Sequence, residues 1–365
     1  MKWSFFLTIV GIVVFVHILF FSCVMRDDDV AGDAQSETVE TSGESTEVAS
    51  PSVEGGANTA TTEEPVVAST GGIKGLPSTP LTEGLYMKSL LEMPAKLATD
   101  TELCKAGICI DLNARKILWE KNSRQAYPIA SMTKMMTVYV VAKELRRPGG
   151  NVTLETPVKA TVAASKVGGH QIWIDQRETF TVDELLKCIL IHSANDCAYL
   201  LAEFLGGGSE AEFVKKMDAE AKQLGMVSFD FRNSHGLYEM VPGANGKTVK
   251  RENMGSAFEL AHLSSLLLDI PEVVRWSSTK RDCIRENNPK FKKFDLHSTN
   301  KLLNDKSCPG VNGMKTGMTE AAGSCITATC EREGRRIVVV VMGCEKSAIR
   351  DKLVRQLINW AYSQK

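Results

Sequence analysis

Apolar positions run without a charged residue from Trp3 to Met25, broken only by Ser4, Thr8, His17, Ser22 and Cys23. As a helix that run would measure about 34 Å, enough to cross a hydrocarbon core of ~30 Å. Lys2 precedes it and Asp27-Asp28-Asp29 follow, so the run is predicted to keep its N-terminal end in the cytoplasm and place the rest of the chain outside. Bulky Phe20 and Phe21 stand where a cleavable signal needs small residues, which favours an uncleaved membrane anchor at 1–25. Lipidation at Cys23 and a cleaved signal are the alternatives. The pattern then changes abruptly. From Asp27 to Pro80 there is no aromatic residue, and Asp27 to Ile73 holds eleven acids and no Lys or Arg. Such a stretch cannot bury enough surface to offset ordering, so 26–80 is predicted to be a disordered acidic linker.

Regular periods begin beyond it, and 81–365 reads as one folded domain. Gly107–Asp111 and Lys116–Glu120 read as a hairpin around Leu112-Asn113-Ala114-Arg115. Met132, Met135, Met136, Tyr139 and Ala142 mark one stripe of a helix over Ser131–Leu145. Val182–His192 and Ala194–Phe204 read as helices, the second stopped by Gly206-Gly207-Gly208; Ser209–Leu224, Arg251–Leu268 and Ile349–Tyr362 are three more. Ser324–Thr329 and Arg336–Met342 read as strands joined by a polar turn. Strands at both ends with helices between predict an α+β fold, in which distant segments share one sheet and a helical lobe is inserted.

Composition excludes several classes. With 43% hydrophobic and 24% charged residues, the chain is no collagen, wholly disordered chain or polytopic membrane protein. A net charge of −1 argues against nucleic acid as a partner, although the acidic linker hides a basic remainder suited to an anionic substrate or surface. Nine cysteines lie beyond the anchor, with no C-x-x-C pair and no zinc spacing; several fall in predicted strands and read as buried thiols.

Three short motifs carry candidate chemistry. Ser131-Met132-Thr133-Lys134 sits at a helix start. Residues three apart share a helix face, so Lys134 can reach the Ser131 hydroxyl. A serine needs a base, and a partly desolvated lysine near other cations can be neutral enough to serve. Ser193-Ala194-Asn195 joins two predicted helices, where a tight turn can aim a hydroxyl and an amide into one cleft. Lys315-Thr316-Gly317 leads a strand; its lysine and hydroxyl suit a carboxylate, and its glycine lets a substrate backbone approach. Ser-x-x-Lys by itself is expected by chance about once in a chain this long, so order and spacing decide its weight.

In that order the motifs resemble those of the D-alanyl-D-alanine carboxypeptidases, the low-molecular-mass penicillin-binding proteins. The likeness extends to Tyr127–Thr137, Ile191–Asp196, His235-Gly236-Leu237 and Gly313–Thr319, and covers roughly residues 90–362. It implies the serine β-lactamase/DD-peptidase fold, a five-stranded antiparallel sheet flanked by helices plus a helical lobe. It implies peptidoglycan stem peptides as substrate, β-lactam antibiotics as acylating inhibitors, and no cofactor or metal. Ser131 would attack the penultimate carbonyl with Lys134 as base, and Ser193 would relay a proton to the leaving amine. Asn195 would bind the peptide amide, Lys315 and Thr316 the terminal carboxylate, and the Ser131 and Met318 amides the oxyanion. Gly317 completes this substrate strand, and Arg350 is a candidate second cation for the carboxylate. His235 is a candidate brace, paired with Glu259. Met318 departs from the histidine of the best-known carboxypeptidases. D,D-Endopeptidase action is the first alternative. A β-lactamase needs a deacylating glutamate, for which Glu239 and Glu252 are poorly spaced, and a non-catalytic penicillin sensor would not need the intact motifs.

Overall fold

The computed structural model describes residues 76–364 except Asn287, so the anchor and all but the last residues of the acidic linker lie outside the described part. The sheet comprises β1 (Met87–Lys88), β2 (Ala106–Asp111), β3 (Lys116–Lys121), β4 (Val311–Thr319), β5 (Gly323–Arg332) and β6 (Arg335–Cys344), in the order β1-β3-β2-β6-β5-β4. Five strands are antiparallel neighbours, as expected; the sixth, β1, adds two residues in parallel to the edge, Met87 beside Lys116. After β1 the chain forms the β2–β3 hairpin and returns to the sheet after nearly 190 residues, so the helical lobe is the insertion between β3 and β4.

The valine run of β6 shows how the sheet divides the core. Val338, Val340 and Met342 face the helical lobe, while Ile337, Val339 and Val341 face the other side. Side chains alternate with a period of two, so an uninterrupted apolar strand must be covered on both faces. On one face lies α6 (Ala257–Leu268) with the lobe; on the other lies the C-terminal helix α8 (Ser347–Ser363), seated by Leu353, Val354, Leu357 and Ile358.

The lobe contains α2 (Lys134–Leu145), α3 (Val182–Lys187), α4 (Asn195–Leu205) and α5 (Glu210–Gln223); α1 (Ala95–Thr101) packs on α8, and α7 (Pro271–Ser278) on β4. Two predicted helices differ. Val182–His192 starts with a reciprocal cap between Thr181 and Glu184, but after Lys187 it widens into a π-type turn over Cys188–His192. Arg251–Leu268 is helical only from Ala257, because Ser256 caps it there and the preceding residues pair as strands, Met254–Gly255 with Tyr127–Pro128 and Thr248–Arg251 with Glu239–Pro242. Lys315-Thr316-Gly317 lies within β4 rather than ahead of it.

Order begins upstream of Leu81. Leu76 packs on the core, the Tyr139 hydroxyl donates to the Pro77 carbonyl at 2.8 Å, and His262 Nε2 lies 2.8 Å from the Thr79 carbonyl. All nine described cysteines are free thiols; eight are buried and Cys283 is partly exposed.

Candidate active site

Ser131 occupies a 3₁₀ turn, Ala130–Thr133, that runs directly into α2. The turn is held in an uncommon shape, with Ala130 at φ 46°. Two glycines permit it. A Cβ on Gly236 would fall 2.1 Å from the Ala130 carbonyl oxygen, and one on Gly317 would fall 2.8 Å from that of Ile129. The open side of Gly317 is therefore filled by the nucleophile turn. This corrects the assignment of Gly317 to substrate contact: its smallness seats β4 against Ser131.

Lys134 is fully buried one turn along. Its Nζ lies 3.0 Å from Ser131 Oγ, 2.7 Å from Asn195 Oδ1 and 2.5 Å from the His235 carbonyl oxygen. The last two groups only accept. A neutral amine must give both its hydrogens to them, which leaves its lone pair facing the Ser131 hydroxyl. Burial, and after it the charge of Lys315, holds Lys134 well below the usual lysine range, with Asp196 acting in the opposite sense.

Ser193 sits at the C-terminal end of the π-type turn in the left-handed region, φ 65°. For a non-glycine residue that conformation costs about 1–2 kcal/mol, a strain typical of functional positions. It aims Oγ at Lys315 Nζ, 2.7 Å away; Nζ also donates to the Thr316 carbonyl at 2.9 Å. Lys315 is buried, and that burial, followed by the positive charge of Arg350, lowers it to about 7. The Thr316 hydroxyl meets that of Thr299 at 2.6 Å. Met318 turns its side chain to solvent at 72% exposure, next to buried Gly317 in the alternating strand.

The structure adds partners to three sequence-based assignments. Arg350 is buried, with Nε and Nη2 on Asp351 and Nη1 on the Cys325 carbonyl, so three of its five N–H groups are engaged, and its positive charge is felt at Lys315. Asn195 uses Oδ1 for Lys134 and one amide hydrogen for the Gly168 carbonyl at 2.9 Å, which leaves a single N–H for a ligand. His235 joins the site through its carbonyl rather than its ring. Burial and then Lys134 push the ring down to about 3, and Glu210, not Glu259, faces it at 3.8 Å; Glu259 binds Ser228. Asp196, in the first turn of α4, accepts from the backbone N–H groups of Ile172 and Ile174. Thr299, Gly168 and the His235 carbonyl escaped the sequence reading because backbone groups and lone threonines leave no pattern.

Ser131 with Lys134, the second serine and the buried strand lysine form a candidate serine acyl-transfer site on a two-lobed α+β fold. Residues 95–346 match the family model for D-alanyl-D-alanine carboxypeptidases, Peptidase S11, and the chain belongs to that family. It is 36% identical to the D-alanyl-D-alanine carboxypeptidase DacF of Bacillus subtilis (strain 168) over 71% of this chain and 62% of that protein, so it spans less than two thirds of that relative's length. Its fold resembles the crystal structure of a peptidoglycan synthesis regulatory factor (PBP3) from Streptococcus pneumoniae, with TM-score 0.63, 29% identity and 72% of each chain covered. It also resembles Penicillin-Binding Protein D2 from Listeria monocytogenes in the ampicillin bound form, with TM-score 0.58 and 29% identity over 70% of this chain and 96% of that one.

Proposed function

We propose that the chain is a serine-type D-Ala-D-Ala carboxypeptidase that removes the terminal D-Ala from peptidoglycan stem peptides and is itself acylated by β-lactams. The observation that carries this is Lys134 with two acceptor-only partners and its third position on Ser131. Ser131 Oγ attacks the penultimate carbonyl as Lys134 takes its proton. The oxyanion forms between the amides of Ser131 and Met318, where the nucleophile turn meets β4. Lys315 and Thr316 hold the terminal carboxylate, and Ser193, bonded to Lys315, passes a proton to the departing amine. Asn195 offers its remaining N–H to the peptide carbonyl. Water then cleaves the ester. Among the described residues, Ser131 Oγ bonds only Lys134 and the His235 carbonyl, while Glu252 is engaged by the Thr319 hydroxyl. With no carboxylate on the nucleophile, a penicillin adduct should persist for many turnover times of a β-lactamase.

Residues 1–25 are proposed to anchor the chain in the membrane, and the acidic segment after them to carry the catalytic part outside the cell as a tether. Mass analysis of purified muropeptides after digestion tests the activity. Loss of one alanine from monomers is expected; conversion of cross-linked dimers to monomers would instead mark an endopeptidase.

A further inference from the structure

Trp173 is a large apolar residue left exposed between two buried neighbours. Ile172 and Ile174 on either side are buried, whereas the indole is 65% exposed and its backbone lies at φ 54°. A bulky side chain in that region is an outlier that surrounding contacts must hold in place. They do so from both sides. The Asp196 carboxylate accepts from the N–H groups of Ile172 and Ile174, at 3.1 and 3.2 Å. Arg285 donates to the carbonyls of Ile172 and Trp173, at 3.2 and 3.4 Å, and is itself fixed by a buried ion pair with Glu178. With the Gln171 amide oriented to satisfy both its ends, it accepts from the indole N–H at 3.0 Å. Single exposed aromatics are ordinary, but this one is not single. It meets Phe294 edge to face at 5.8 Å, Phe294 meets His192 at 5.2 Å, and His192 stacks on His170 at 4.2 Å.

The row has a definite place. His192 precedes Ser193, and the His170 carbonyl accepts from the Asn195 N–H at 2.7 Å. The strand that carries Phe294 leads to Thr299, whose hydroxyl meets that of Thr316. The rings thus border the Lys315–Thr316 end, to which the terminal carboxylate is assigned. Resting on the carboxypeptidase reading, we propose that Trp173, backed by Phe294, is a specificity residue for the leaving amino acid: its face takes the side chain of the D-residue released, and accepts apolar side chains larger than methyl.

The test compares kcat/KM of the intact chain for acyl-D-Ala peptides ending in Gly, D-Ala, D-Leu and D-Phe. Wild type should cleave the D-Leu and D-Phe peptides within about tenfold of D-Ala-D-Ala, the discrimination expected of an apolar contact of this size. Trp173→Ala should lose about tenfold on D-Leu and D-Phe, chiefly in KM, and little on Gly, while Trp173→Phe restores most of the loss. At saturating penicillin the end-point labelling of Ser131 should be equal in all three proteins, which monitors the intact nucleophile separately. An equal loss on all four peptides would mean that Trp173 only supports the Asn195 loop, and no loss on any would mean that it is idle; either overturns the proposal and leaves the carboxypeptidase reading intact. Failure of wild type to take penicillin or to cleave any of the peptides would overturn both.

Discussion

Lys134 Nζ stands 3.0 Å from Ser131 Oγ, while its two other partners, Asn195 Oδ1 and the His235 carbonyl, can only accept hydrogen bonds. The amine is thereby oriented as well as depressed in basicity. Orientation comes from two segments far apart in sequence, and depression from burial reinforced by Lys315.

That geometry separates the two lysines. Lys134→Arg keeps a charge but supplies no base, because guanidinium does not deprotonate in proteins. Acylation by penicillin should fall by roughly 10³-fold, within the range for loss of a general base, with the noncovalent affinity nearly unchanged. Lys315→Arg should weaken ligand binding and keep a measurable acylation rate. Stopped-flow acylation against ligand concentration resolves the two, and equal rate loss in both variants would remove Lys134 as the base.

The pH profile should have limbs of different origin. Lys134 must be neutral to accept a proton, so the acylation rate should fall as pH drops and the amine protonates. Lys315, lowered to about 7, is charged below that value and neutral above it. Carboxylate binding should therefore weaken as pH rises past it, seen as a rising KM, with the bound carboxylate delaying the effect. A KM flat from pH 6 to 9 would contradict a carboxylate role for Lys315.

Gly236→Ala should be among the most damaging single-methyl changes available. Its Cβ would overlap the Ala130 carbonyl, and its φ of 91° is unfavourable for alanine. We expect a loss of more than about 2 kcal/mol in denaturant unfolding, together with loss of penicillin labelling, because the displaced group is the nucleophile turn. Gly334→Ala, at φ 76° but in open space, should cost about 1 kcal/mol and leave labelling intact.

Truncation should mark where the folded part starts. A chain beginning at Ser69 should unfold with the midpoint of the full-length protein. One beginning at Leu81 loses the Pro77 and Thr79 carbonyls and leaves the Tyr139 hydroxyl and His262 Nε2 without those partners. At about 1 kcal/mol for each lost bond, its Tm should drop by several degrees. Equal midpoints would make residues 76–80 a passive extension.

Much of this protein was legible in its sequence. The hairpin around Leu112–Arg115, the apolar run of β6, the stripe of α2 and the glycine stop after α4 are local signals, governed by periods of two and 3.6 residues and by backbone sterics. Ser131 with Lys134, Ser193 with Asn195 and Lys315 with Thr316 were readable because each pair lies within three residues. What lies between the pairs was decided by tertiary structure. Gly317 and Gly236 close on the Ala130 peptide from strands and loops roughly a hundred or more residues away. Nothing in the sequence around Arg350 announces its bonds to Asp351 and the Cys325 carbonyl. His235 entered through a carbonyl, a group every residue carries and none advertises. Short-range geometry is written in residue spacing; desolvation and the mutual influence of three buried basic groups, Lys134, Lys315 and Arg350, exist only once the chain has packed.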